Sequence, residues 1–331
     1  MTGPPLPTPG PRRRGEPLKV VALGGGHGLA ATLRALRHIT SDVTAIVTVA
    51  DDGGSSGRLR QELGVLPPGD LRMALSALCD DSDWGHTWSD VLQHRFTSSG
   101  SLDGHALGNL LIVSLWELLG DEVAGLDWVG RLLGAEGRVL PMAAVPLEIQ
   151  ADVTLPTGQQ ALVRGQSRVA VTSGTVDRVR LIPTDPPARP EAVEAIRQAD
   201  YVVLGPGSWF TSVMPHLLVP EIAEALRGAN ITLTLNLSTQ SDETDGYTAG
   251  DHLRSLHSYA PTLGLQTVVA DPTAIDDLDE LRTYAQQIGA RLLLRQVGQG
   301  DGGPYHEPLR LAGAYRDAFD QFLGDVGEKS G

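Results

Sequence analysis

The sequence predicts an α/β fold: a doubly wound, mostly parallel sheet carrying a small antiparallel β insertion. Three observations point there. From Lys19 onward, short β-branched runs alternate with amphipathic helical stretches. Glycine-rich turns fall where strand gives way to helix, and the rhythm breaks only once, between about residues 145 and 183.

Taken in order, the first 17 residues (MTGPPLPTPGPRRRGEP) are too poor in apolar side chains to fold and read as a disordered Pro/Arg-rich arm. Strands are expected at 19–24 (KVVALG) and 43–50 (VTAIVTVA), joined by the amphipathic stretch LAATLRALRHI. DLRMALSALC and ALGNLLIVSLWELL continue the helical spacing. Residues 145–183 are rich in strand and turn residues with no convincing helix, and suggest an antiparallel insertion. TDPPARP reads as a surface connector into the helix EAVEAIRQA. Strands at 201–205, 231–237, 265–270 and 290–297, with the helix VPEIAEALRG, then resume the α/β pattern. A single domain over 18–323 is expected, followed by a flexible tail at 324–331.

The 331 residues are enough for one large domain with a proper core. No run approaches the roughly 18 apolar residues of a membrane span. The net charge of −14 repels polyanions, so nucleic acid is not an expected partner. Cys79 is the only cysteine and the N-terminus lacks a secretory apolar core, which together predict a cytoplasmic protein.

Four polar, glycine-bearing loops are expected on one edge of the sheet. The first, Gly24-Gly25-Gly26-His27-Gly28, lies between strand and helix, where backbone amides and the helix dipole favour a phosphate. It does not complete a dinucleotide fingerprint, because Leu29 stands where the third glycine would fall. The second, ADDGGSSGRLRQELGVLPPGDLR, concentrates Asp51, Asp52, Gly53, Ser55, Ser56 and Arg58 in a few residues. Asp51 falls where an acid would meet ribose hydroxyls, and Asp51 with Asp52 could hold Mg²⁺ beside a substrate phosphate. Asp70 is placed to cap the following helix, while Arg72 in its first turn opposes the dipole and needs an anionic neighbour. His105 and Asn109 share a helix face, suited either to a ligand or to an internal hydrogen-bond network. Gly205-Pro206-Gly207-Ser208 resembles a second anion cradle, and the loop from Asn236 to Tyr247 follows the next strand. His252 and His257, five apart, read as surface residues rather than metal ligands. No nucleophile paired with a base is evident.

Taken together, VVALGGGHGL, VTVADDGGSSGRLRQELGVLPPGDLR, GHALGNLL, VLGPGSWFTSVMPHLLVPEI and TQSDETDGYTAGDHL resemble the gluconeogenesis factor family, the YvcK-like branch of the superfamily that includes the 2-phospho-L-lactate transferase CofD. The resemblance runs from about Lys19 to about Ala318. It implies a three-layer Rossmann-like fold, a role in cell shape and morphogenesis under gluconeogenic growth, and affinity for UDP-sugars such as UDP-N-acetylglucosamine. Carried over by motif, Gly24 to Gly28, Asp51, Asp52, Arg72, His105, Asn109, Gly205, Gly207 and Ser208 would line the crevice, with Tyr284 at the nucleotide sugar. The chain departs from the family pattern at His27, where threonine is common, at Met73, where asparagine often follows the arginine, and at Tyr305, where an arginine commonly precedes His306. The last change removes a cation from the sugar-nucleotide end.

The leading expectation is a regulator that binds a UDP-sugar or related nucleotide without a required cofactor and acts on regulatory proteins of envelope synthesis. Its oligomeric state is open, a homo-oligomer included. The alternative is a phosphotransferase resembling 2-phospho-L-lactate transferase, using Asp51 or Asp52 with Mg²⁺. An NAD-dependent oxidoreductase, resting on the incomplete glycine motif alone, comes third.

Overall fold

The computed structural model describes residues 16–238, 242–300 and 303–320. The expected tail, all but Glu16 and Pro17 of the expected arm, and Thr239 in the loop after Asn236 lie outside them. The strands in chain order are β1 (Lys19–Gly24), β2 (Asp42–Val47), β3 (Arg138–Pro141), β4 (Glu148–Thr154), β5 (Gln160–Arg164), β6 (Thr175–Ile182), β7 (Tyr201–Leu204), β8 (Ile231–Thr234), β9 (Leu265–Ala270) and β10 (Arg291–Leu294). The helices are α1 (Gly26–Arg37), α2 (Gly54–Leu63), α3 (Gly69–Ala77), α4 (Asp83–Gln93), α5 (Leu107–Leu119), α6 (Glu122–Leu133), α7 (Gln166–Val169), α8 (Pro190–Gln198), α9 (Met214–Leu217), α10 (Pro220–Leu226), α11 (Ala249–Tyr259), α12 (Leu278–Gln287) and α13 (Pro308–Asp320).

Seven parallel strands form the main sheet in the order β10-β9-β8-β7-β1-β2-β3. The central strands β1, β7 and β8 are buried along almost their whole length, which is why they read as unbroken apolar runs rather than alternating ones. On one face α1 packs against α3 and α13, and α8 with α10 forms the other layer. The Tyr315 hydroxyl on α13 lies 3.2 Å from Thr32 Oγ1 on α1 and 3.0 Å from Thr234 Oγ1 on β8, tying sheet to helices through the core.

The predicted insertion is a separate antiparallel sheet, β5-β4-β6. In β4, Ile149, Ala151 and Val153 are buried while alternate residues face outward, the period-two pattern of a half-covered sheet. The insertion also contains the one-turn helix α7, too short to leave a helical period in the sequence.

Several strands end earlier than their β-branched runs. Thr48 to Ala50 and Leu235 to Leu237 continue past the regular ladder, each joined to a neighbouring strand by a bond at its start (Thr48 N–H to Gly24 C=O and Leu235 N–H to Val269 C=O, both 3.0 Å), and become crevice walls and their supports. Strand β3 was not expected at all: RVLP is four residues long, has one β-branched member and ends in proline, a composition tolerated only at a sheet edge.

Strand β1 pairs with β2 on one side and β7 on the other, so chain connections leave this point in opposite directions. In an open parallel sheet such a reversal leaves a crevice beyond the carboxyl ends of the two strands.

Candidate functional site

A cavity of about 850 Å³ opens at that reversal. One wall is the start of α1: Gly25, Gly26, His27 and Gly28, with Ala31 and Arg34 continuing the same helix face at i+4 and i+7 from His27. The opposite wall is the turn after β7, with Pro206, Gly207, Ser208 and Ser212. Asn236, Leu237 and Ser238 after β8 and Gln299, Pro304, Tyr305 and His306 close the far end.

The glycines of the first loop meet two separate demands. Gly26 has φ +58°, a conformation side chains rarely adopt, and a Cβ at Gly28 would overlap the Pro206 carbonyl across the crevice. A Cβ at Gly25 would come within 2.5 Å of Asp70 Oδ2 and 2.6 Å of the Thr48 methyl. Close backbone approach between the two cradles is therefore what the glycine run secures.

Asp70 is not the cap that its position suggested. Helix α3 starts one residue before it, the cap position is Pro68 with no side-chain hydrogen bond, and the carboxyl turns instead to the Gly26 amide at the head of α1. Burial, with the nearby Asp51 charge in second place, pushes its pKa up to about 7. The π-helical turn Trp209–Val213 after β7 is treated in the same way. Glu243, fully buried, accepts from the Phe210 amide at 3.1 Å, and burial pushes its pKa up to about 7 as well. Asn236 clamps the Gly207 peptide from both sides, its Oδ1 accepting from Gly207 N–H and its Nδ2 donating to Gly207 C=O, each at 2.9 Å. Much of the expected second anion cradle is thus already filled by the chain's own side chains. Donors left facing the cavity are the first-turn amides of His27 and Gly28, which have no intrahelical acceptor, and the hydroxyl of Ser208.

Arg34 is the only lysine or arginine lining the cavity among the described residues, and it is exposed there with no carboxylate partner. Sequence reasoning passed over it, although its seven-residue spacing from His27 was the available signal. His306, buried against Leu235 C=O at 3.3 Å, has its pKa lowered to about 4 by burial.

The remaining motif residues lie behind these walls. Arg72 is buried, and donates from Nε to Asn109 Oδ1 at 2.9 Å and from Nη1 to Gln93. Burial lowers its pKa to about 10. Asn109 Nδ2 donates to Ser55 Oγ at 3.0 Å and Ser56 Oγ at 3.4 Å, and Ser55 Oγ lies 3.0 Å from His105 Nδ1. Burial, then the Arg58 cation, holds His105 below the usual imidazole range. Asp51 and Asp52 turn to different partners. Asp51 accepts from the Gly53 amide at 2.9 Å and reaches toward Gly69 and Asp70, whereas Asp52 accepts from the Ser167 amide at 2.8 Å in the insertion. Arg58 is held by the Ser101 and Asp103 carbonyls. Gly24 ends β1 and Gly205 directly follows β7, and both lie outside the cavity lining. Tyr284 lies outside that lining on α12, with the Arg254 guanidinium 5.7 Å above its ring. His252 is not a surface residue: it is buried with its ring edge-on to Trp209 and Tyr247, while His257 is exposed.

Residues 20–292 match the family of the 2-phospho-L-lactate transferase CofD. The chain belongs to the CofD family. Within that family it is 52% identical over 304 residues to a Mycobacterium tuberculosis protein provisionally named a gluconeogenesis factor, covering 88% of each chain. It is 39% identical over 265 residues to the gluconeogenesis factor of Bacillus subtilis, covering 80% of this chain and 81% of that one. The fold matches a crystal structure of a UPF0052 family member from Bacillus halodurans with a TM-score of 0.80 and 33% identity, over 90% of this chain and 98% of the other. Among the described residues, no helix of this CofD family member is long and apolar enough to cross a membrane.

Proposed function

We propose that the crevice binds a nucleotide sugar of the UDP-N-acetylglucosamine type, and that the chain is a ligand-responsive regulator of cell shape and envelope growth under gluconeogenic conditions, acting in the cytoplasm. The observation that carries this reading is the cavity itself. Open amides and Arg34 on α1 face a hydroxyl-bearing turn across a space of about 850 Å³, within the size range of small-molecule sites. A diphosphate fits the α1 wall, and the amide of Gln299 and the ring of Tyr305 suit sugar and base at the far end. Binding needs no cofactor on this reading.

Thermal unfolding tests it. At a hundredfold excess over its dissociation constant, UDP-N-acetylglucosamine stabilises the folded state by about 2.7 kcal/mol, raising the melting temperature by roughly 5–10 °C. A shift with NAD but with no uridine nucleotide would overturn the reading in favour of a dehydrogenase.

A second reading, phosphoryl transfer, is favoured by the CofD family match and by the approach of Asp51 to Asp70. If Mg²⁺ binds, this pair suits it better than Asp51 with Asp52, whose carboxylates are engaged apart. The ion would polarise a transferring phosphoryl group. Incubation with Mg²⁺ and the nucleotide sugar, followed by chromatography, separates the two. Intact donor after many equivalents supports the regulator, and multiple turnovers lost in Asp51→Asn support the transferase.

A further inference from the structure

Three of the chain's five tryptophans, at positions 84, 88 and 128, lie together at the edge of the sheet opposite the crevice. Trp84 is 56% exposed and Trp128 53% exposed, unusual values for so large an apolar ring in a water-facing position. They form one surface. The Trp84 and Trp88 rings are 5.7 Å apart on successive turns of α4, and Trp84 Nε1 donates to Leu132 C=O at 2.9 Å. Leu132, itself exposed, lies one turn beyond Trp128 on α6, and the Arg131 guanidinium sits 5.1 Å above the Trp128 ring. Trp88 is half-buried and packs against the core, but helix α4 fully buries only Gly85 and Leu92, so core packing does not account for Trp84.

We propose that this tryptophan surface is a docking site for a protein segment with an apolar centre ringed by lysine or arginine. Tryptophan and arginine are the side chains most enriched where protein interfaces concentrate their binding energy, and contiguous exposed apolar surface rimmed by polar groups marks such sites. The rim decides the partner's chemistry. Asp83 immediately precedes Trp84, Asp90 lies near Trp88 on the outer side of α4, and both are exposed with no ion-pair partner among the described residues, whereas the nearby Asp81 is paired with Arg37 at 3.3 Å. With a chain charge of −14, this rim repels a second copy of itself and attracts a basic partner. The location adds a connection to the site: α3 carries Asp70 in the cavity wall at its start and leads at its end to Asp80, which receives the Ser82 amide just before α4.

The test uses two synthetic 18-residue amphipathic helical peptides of the same apolar pattern, one Leu/Lys and one Leu/Glu, titrated into the full chain while tryptophan fluorescence and heat are recorded. The Leu/Lys peptide is expected to bind with a fluorescence shift, the Leu/Glu peptide not, and binding should weaken at about 1 M salt, where the Debye length is about 3 Å. Trp84→Ala with Trp128→Ala should reduce affinity by about tenfold or more. Asp83→Lys with Asp90→Lys, which leaves every tryptophan in place, should do likewise, and melting curves establish that both variants fold. Equal binding by wild type and both variants overturns the proposal. So does sedimentation showing a wild-type dimer that Trp84→Ala dissociates, because the surface then belongs to a second copy.

Discussion

The crevice wall and the polar layer behind it are built from the same kinds of residue, and they differ in whether those residues have partners. Behind the wall, Arg72, Asn109, Ser55 and His105 join one another in a chain of buried hydrogen bonds. At the wall, His27, Gly28, Arg34 and Ser208 face open space. A motif rich in Asp, Ser, Asn and Arg therefore specifies two things: a rigid support whose groups satisfy each other, and a thin contact layer whose groups do not. Substitutions in the first should be read in stability, and in the second in binding.

The largest expected effect is Arg72→Ala. It leaves Asn109 Oδ1 and Gln93 without their donor inside the protein and removes the cation nearest Asp70 and Asp51. Breaking a buried charged network by deleting one member costs about 3–5 kcal/mol. Urea denaturation should show that loss as a lower midpoint. An unchanged midpoint with impaired ligand binding would move Arg72 from the support to the contact layer.

Arg34→Ala is the converse. The side chain is exposed and unpaired, so its removal should leave the unfolding midpoint within about 0.5 kcal/mol. A charge-assisted hydrogen bond to a phosphate contributes about 1.5–3 kcal/mol, so calorimetry should show affinity for a nucleotide diphosphate falling by roughly 10- to 150-fold. Uridine, which has no phosphate, should lose nothing. Equal losses for uridine and UDP would mean that Arg34 shapes the cavity rather than binding charge.

Much of the fold was legible because burial on both faces of a parallel strand writes itself as an apolar run: KVVALG and LQTVVA are strands over the expected residues. The edge strand RVLP is buried at Val139, Leu140 and Pro141 too, but four residues with a single β-branched member and a terminal proline are too short a run to stand out as a strand. The glycine loops were legible as a site because their backbone geometry restricts residue type. Which polar side chains reach the cavity was not, because that depends on contacts distant in sequence. Asp70 looks like a cap until Gly26, 44 positions earlier, is seen to hold it, and Glu243 looks like a loop acid until it meets Phe210. Arg34 sits in what reads as an ordinary amphipathic helix, and only its register with His27 distinguishes it. The motif reading carried Arg72, His105 and Asn109 into the crevice by type, while their partners place them one layer deeper.

The smallest expected effect concerns Asp70, which lies at the boundary of the two layers. Its pKa in the folded state is about 7, against an ordinary value of 3.8. Between those values the native chain keeps a proton that the unfolded chain has released, so unfolding free energy falls as pH rises from about 4 to 7 and levels off above. Glu243, also raised to about 7, tilts stability in the same direction. Asp70→Asn keeps an oxygen for the Gly26 amide and removes only the titration. Allowing for partial solvent screening of a half-buried carboxyl, it should be about 1–2 kcal/mol more stable than wild type at pH 8, with no such gain at pH 4. The binding consequence has the same sign. Ionised Asp70 puts a negative charge beside the amides meant for a phosphate, a repulsion of roughly 1–2 kcal/mol in a half-wet crevice. With divalent cations chelated, wild-type affinity for UDP should therefore weaken as pH rises through 7, and Asp70→Asn should flatten that slope. His27 at the same helix end is present in both proteins and cancels in the difference. If the two slopes coincide, another group controls the pH dependence, and the head of α1 is open to anions whether or not Asp70 is charged.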